Sequence, residues 1–322
     1  VRAALNTVVH LPLSVLEGEG VSLSEDYRVG TYYPVFILAN SDGEVITRWT
    51  GYTGADRFLQ SFQQAKTNLT TIKTRAGRFD ESPTVRNGLA LAQYYSDTRE
   101  YLKARDYYRQ LQSLQGSQAD YAFEIFKATA EAVWNDLLPF DSVVAAADVV
   151  LGRPKQISDQ LGQLAQIIAN VARRTGDVGR IEKYLEAGAR ATSARTDKAG
   201  VSMNRDIVAD YALYVLHDTT KALNIKKSGL GSGWDQDPAR YFQYGEFCYQ
   251  RRIDLAQAEN YVRLATQKAS EGKFKAKHLR LLAEILFARG KVDEAIATGE
   301  QALEQDPTTE YFVEKLQEWR QL

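Results

Sequence analysis

Cysteine is almost missing from this chain: 322 residues contain one, Cys248. A single thiol excludes an internal disulfide, a CxxC redox pair and a multi-cysteine zinc site. Histidine is nearly as scarce. The three present, His10, His217 and His278, share no ligand spacing and form no HExxH, so no metal site is expected. Charge of one sign is also lacking. Forty basic residues face 41 acidic ones, a net of −1 and an electrostatic balance that gives no case for nucleic acid or an anionic membrane surface. Long apolar runs are absent too, since Pro34–Ala39 and Val143–Ala147 are far too short to span a bilayer. The chain opens on Val1 with neither a basic nor an apolar leader pattern, which reads as a fragment or a chain that has lost a leader.

What is present falls into two parts, residues 1–80 and 81–322. In the first, Thr7–Leu16 is β-branched and apolar, as a strand would be. Val21–Asp26 is helix-like. The wholly apolar Val35–Leu38 suits a strand buried on both faces, Asn40-Ser-Asp42-Gly43 marks a hairpin, and Glu44–Thr50 is the return strand. Thr53 and Asp56 have capping-box spacing and open a helix with Phe58, Leu59 and Phe62 on its apolar face.

From Pro83 onward the pattern is helical with short breaks, and an internal repeat emerges. The window Ala276–Thr309 has small or apolar residues at Leu279, Leu282, Ala283, Leu286, Gly290, Ala295 and Ala302, with Pro307 to start the next helix. The twelve-residue interval from Ala283 to Ala295 recurs from Ala92 to Ala104. Gly245, Cys248, Ala258 and Ala265 repeat it with one extra residue in the turn, and Ala169, Gly176-Asp177, Leu185 and Gly188 form a weaker copy. Glu310–Leu322 reads as a closing helix.

These residues carry two resemblances. Residues 1–80 resemble a thioredoxin-like domain truncated at its N-terminus, through Glu19-Gly20, Leu23, Tyr27, Val29, Tyr33-Pro34, Phe36-Ile37-Leu38, Asp42-Gly43 and Gly51-Tyr52. That resemblance implies a substrate-binding loop at Tyr33 and Pro34, with Pro34 in the cis form; an ordinary trans proline at a strand start is the other reading. The match departs from the family in ways that matter. The CxxC and first strand would precede Val1, Leu16 stands where many relatives have Asp, and Val35 where Thr is usual. Exchange chemistry needs an activated thiolate and a resolving thiol, and this chain supplies neither. No catalytic residue and no cofactor are expected in it. A truncated domain would also expose a sheet edge, so that surface is expected to pack on the helices, a partner chain or residues outside this sequence.

Residues 81–322 resemble tetratricopeptide-like repeats, which implies an all-α solenoid with a concave face for protein or peptide clients; a purely architectural role is the other reading. The carboxylate clamp of some relatives is not matched: its positions hold Arg280 and Glu284 in the last repeat, Leu89 and Gln93 in the first. Together the resemblances imply an interaction scaffold whose parent protein is a thiol–disulfide oxidoreductase or redox chaperone. The competing class is a redox-inactive adaptor. Thioredoxin-like domains with this Gly18-to-Val35 pattern are similar to exported as well as cytosolic relatives, and the resemblance implies an extracytoplasmic location only slightly over a cytoplasmic one.

Smaller features read plainly. Gly229-Leu-Gly231-Ser232-Gly233-Trp234 lacks the residues of a P-loop, dinucleotide fingerprint or nucleophile elbow and reads as an inter-helix loop. Asp237-Pro238 restarts the helices. The tyrosines at 94, 95, 101, 107 and 108 read as repeat packing, and Cys248 as a buried, inert thiol. Lys273, Lys275 and Lys277 precede an acidic end and read as solvated faces.

Overall fold

The computed structural model describes residues 1–322 apart from 16, 17, 31, 32, 115–119, 155, 156, 308, 309 and 322. The chain divides into two compact units, Val1–Gln156 and Ile157–Leu322. No helix of the described residues is long and apolar enough to cross a membrane.

The first unit begins with α1 (Arg2–Leu5) and α2 (Glu19–Asp26), followed by β1 (Val35–Ala39), β2 (Val45–Thr50) and α3 (Ala55–Lys66). The hairpin forms where the Asp-Gly signal lies. Asn40 Oδ1 accepts from the backbone N–H groups of Asp42 and Glu44 at 3.1 and 2.8 Å, and Gly43 takes a φ of 78°. The strands are antiparallel, pairing Val35 with Thr50 and Leu38 with Thr47, with an irregularity between Leu38 and Ala39. Phe36 stacks on Trp49 at 5.3 Å, and the edge of Phe58 from α3 closes over Phe36 at 4.9 Å.

Three expectations for this region need correction. Residues 7–15 form no strand: Val9 is 97% exposed, and Leu16 lies outside the described residues. The run has β propensity but no partner strand, and Pro12 removes a ladder donor. The strand at 35–39 is half-buried throughout, because one two-stranded sheet covers only part of each face. The helix after it starts one residue later than the capping box implies. Gly54 takes the N-cap place without a side-chain bond, leaving Thr53 outside the helix.

The sheet is not left bare. Strand β2 packs on α4 (Ile72–Glu81) and α5 (Val85–Asp97), with Val45 against the buried Ile72, Phe79 and Leu91. Arg48 is buried on this strand and donates to the Tyr27 carbonyl at 2.7 Å. Desolvation lowers its pKa, and the same burial raises that of its neighbour Asp97 on α5.

Helices then run in antiparallel pairs. In the first unit α5 packs on α6 (Tyr101–Ser113), and α7 (Ala122–Trp134) on α8 (Phe140–Leu151). In the second, the pairs are α9 (Ser158–Thr175) with α10 (Glu182–Thr192), and α11 (Lys198–Tyr214) with α12 (Thr219–Leu230). They continue as α13 (Pro238–Arg251) with α14 (Leu255–Lys268), and α15 (Lys273–Ala288) with α16 (Val292–Gln305), before α17 (Glu310–Trp319).

The repeat positions read from the sequence are buried within the helix pairs. Ala92, Ala104, Ala169, Leu185, Ala258, Ala283 and Ala295 are fully buried. A Cβ on Gly245 would overlap the Val262 side chain of α14, so only glycine fits that crossing unstrained. The turns repeat as well. Each first helix ends in a left-handed residue, Arg99, Asp136, Gly176, His217, Arg252 and Gly290 in order. At five of them the next N–H reaches back five residues: Glu100 to Tyr95, Leu137 to Ala132, Asp177 to Ala172, Ile253 to Cys248 and Lys291 to Leu286. The extra residue expected between Gly245 and Ala258 is accommodated by a second left-handed residue, Asp254.

Gly229 and Leu230 belong to the end of α12, so the glycine-rich segment is a loop only from Gly231 onward. Asp237 caps α13, accepting from Ala239 N at 3.0 Å with Pro238 in the first turn. The tyrosine run packs as expected: Tyr95 and Tyr107 stack at 5.5 Å, and Tyr108 is buried.

Two substitutions test this account by thermal unfolding. Gly245→Ala should cost about 1–3 kcal/mol by overpacking against Val262. His217→Gly should raise the melting temperature by about 1–3 °C by relieving a left-handed backbone. A neutral first change, or a destabilising second one, would contradict it.

Candidate functional site

The second unit holds a groove of about 840 Å³ lined mainly by the first helices of three successive pairs, with Lys226 and Gly229 added from α12 (Thr219–Leu230). Helix α9 contributes Gln166 and Asn170, α11 contributes Lys198, Ser202 and Arg205, and α13 contributes Gln243, Glu246 and Gln250. The reason is periodicity. On each helix the small and apolar residues face the pair partner, and polar residues three or four positions apart fall on the opposite side.

The groove's floor is built on one buried carboxylate. Asp210 of α11 leaves 5% of its side chain exposed and binds an arginine from each neighbouring first helix. Arg251 of α13 makes a two-pronged contact, Nε to Oδ1 at 2.6 Å and Nη2 to Oδ2 at 3.0 Å. Arg173 of α9 donates from Nη1 to Oδ2 at 3.1 Å and also bonds Asn170. The Arg251 guanidinium lies 3.9 Å from the Phe247 ring centroid. Beside this cluster Tyr214 is largely enclosed, and burial pushes its hydroxyl pKa up against the opposing charge of Arg173. On the wall, Lys226 of α12 pairs with Asp206 at 3.3 Å.

A second buried carboxylate, Glu259, serves packing between α14 and the turn from α15 to α16. It accepts from Arg263 Nε at 2.9 Å and Lys291 Nζ at 3.1 Å, and pairs with Arg289. Burial alone would raise its pKa, but bonds from Arg263 and Lys291 outweigh that and hold it low.

Sequence-predicted residues fall elsewhere. The Tyr33–Pro34 peptide bond is cis, both side chains are exposed, and both lie in the first unit and line no part of the groove. Cys248 is fully buried on α13, and desolvation pushes its thiol up to about 12. His278 is buried between Phe242 and Phe274, and its Nδ1 lies 2.8 Å from the Phe274 carbonyl oxygen. His10 and His217 are exposed. Among the described residues no three His, Cys, Asp or Glu side chains converge as a metal site would need. The clamp positions of the last repeat are occupied by structural pairs, Arg280 with Asp306 at 3.6 Å and Glu284 with Lys315 at 2.5 Å. In the basic stretch, Lys275 pairs with Glu271 and Lys277 lies over Phe242.

The groove and Asp210 are what sequence reading missed. Arg173 and Arg251 stand 37 and 41 positions from Asp210, so only the repeat length, carried across neighbouring pairs, could have linked them.

Antiparallel helix pairs with small residues buried between them make a helical-repeat fold. The chain is similar to a tetratricopeptide repeat protein of Parabacteroides merdae, with a TM-score of 0.52 and 10% identity over 82% of this chain and 95% of that one. A second solved structure, the C-terminal part of a TPR repeat-containing protein of Cytophaga hutchinsonii, matches with a TM-score of 0.41 and 14% identity over 81% and 98% of the two chains. The first likeness is one of fold. Neither bears on a thioredoxin-like domain. No protein-family model matches the chain, and no curated protein does.

Asp210→Asn should lower the urea midpoint by the equivalent of about 3 kcal/mol, since two buried guanidinium groups lose their counter-charge. Asp206→Asn, at a half-exposed pair, should cost about 0.5 kcal/mol or less. Equal effects would contradict a special role for Asp210.

Proposed function

We propose that this chain is a protein-binding scaffold whose groove on α9, α11 and α13 receives a peptide segment of a partner. The observation that carries this is the lining. Three successive first helices present carboxamides, a hydroxyl and charges to one concavity. A purely architectural repeat has no use for such a surface.

The reading extends to residues 1–80 as a thioredoxin-like domain, with residues 81–322 as the repeat domain. The β1–β2 hairpin directly after Tyr33-Pro34, closed by α3, supports it. On this reading Tyr33 and Pro34 face a substrate peptide, and the parent protein is a thiol–disulfide oxidoreductase or redox chaperone whose repeats recruit clients.

Panning a displayed peptide library on the full chain, with counter-selection on Ser202→Trp, tests the groove. Enriched peptides should bind the unaltered chain at least about tenfold tighter than the variant, whose helical signal should be unchanged. Peptides that ignore the variant would overturn the assignment. For Cys248, a pKa near 12 leaves about one thiolate in ten thousand at pH 8. The native chain should therefore resist iodoacetamide, react fully in denaturant, and give no insulin reduction with dithiothreitol above background. Rapid native alkylation or clear reductase activity would contradict this.

A further inference from the structure

The chemistry of the groove narrows what it can take. With the Asn170 oxygen already accepting from Arg173, Gln166 on one wall and Gln243 and Gln250 on the other end in carboxamides, which carry a donor and an acceptor side by side. That pairing matches the N–H and C=O of an extended peptide, whose backbone lacks internal partners. Charge selects further. Five cationic and three anionic side chains line the groove, a net of two positive charges on a chain whose overall net is −1. Asp210 and Asp206 are already engaged by Arg173, Arg251 and Lys226, which leaves two cations, Lys198 and Arg205, against one carboxylate, Glu246, without a salt-bridge partner among the described residues. Arg205 also has a prepared seat. Gly229 of α12 lies under it, and a Cβ there would overlap its Cδ, Nε and Nη1 atoms. The glycine that reads as part of a loop signal instead clears room for a guanidinium in the groove lining.

We infer that the groove binds an extended, acidic peptide segment, its backbone held by the carboxamides of Gln166, Gln243 and Gln250 and its carboxylates by Lys198 and Arg205. This rests on the reading of the groove as a peptide site. Nothing in it requires a free C-terminus.

Fluorescence anisotropy with the full chain tests it, using labelled eight-residue peptide pools with both ends blocked. The pools differ at two positions only, Glu, Gln or Lys. The Glu pool should bind about five- to tenfold tighter than the Gln pool at low salt, the gap shrinking at high salt, and the Lys pool weakest. Lys198→Glu with Arg205→Glu should invert the order. Gly229→Ala changes no charge and favours the helix, yet should reduce the Glu-pool advantage about threefold by displacing Arg205. Circular dichroism checks that each variant folds. Equal binding of the three pools that still weakens with Ser202→Trp would leave the peptide groove standing and overturn the acidic preference. Binding of no pool, or binding indifferent to Ser202→Trp, would overturn both. An oligothymidylate of eight nucleotides binding tighter than the Glu pool would assign the cations to nucleic acid and overturn the inference as well.

Discussion

Everything in the helical part depends on how closely the two helices of a pair can approach. The small residues Ala92 and Ala104, Gly245 and Ala258, and Ala283 and Ala295 lie inside their helix pairs, and each alanine there is fully buried. A side chain larger than a methyl group at these points would separate the helices and open cavities around Leu91, Leu111, Leu282 and Leu286. With the crossing fixed, turns of three to six residues follow, and a left-handed residue at the end of each first helix lets the chain reverse within them. Four of those six residues are not glycine, so tertiary packing overrides a local backbone preference.

The same constraint generates the groove. Because each first helix gives its small face to its partner, its polar face is left for the neighbouring pairs, and in the second unit three such faces converge. Asp210 ties them together. A carboxylate shared by two guanidinium groups tolerates burial only with good geometry, and the fork of Arg251 supplies it. The cost of burying these charges is offset by fixing three helices in register, which a site built from all three requires.

Most of the helix pairing was legible in the sequence because it depends on residue size at a fixed interval. The hairpin was legible for the same kind of reason, since Asn40 and Gly43 impose a turn locally. Thr7–Leu16 misled because propensity describes a strand without saying whether a partner strand exists. The groove was hidden because Gln166, Asn170, Gln243 and Gln250, taken one helix at a time, look like any solvated face. Gly229 shows the limit most sharply. Its helical place and its contact with Arg205 depend on α11 lying alongside α12, which no short motif encodes.

The central claim is that the polar faces of the first helices in the second unit form the partner site. Hydrogen–deuterium exchange of the full chain, with and without a peptide selected on it, tests this most directly. The account predicts added protection in α9, α11 and α13, at 158–175, 198–214 and 238–251, and little change in their pair partners α10 and α14. Protection confined to α10 and α14, or to residues 1–156, would contradict it.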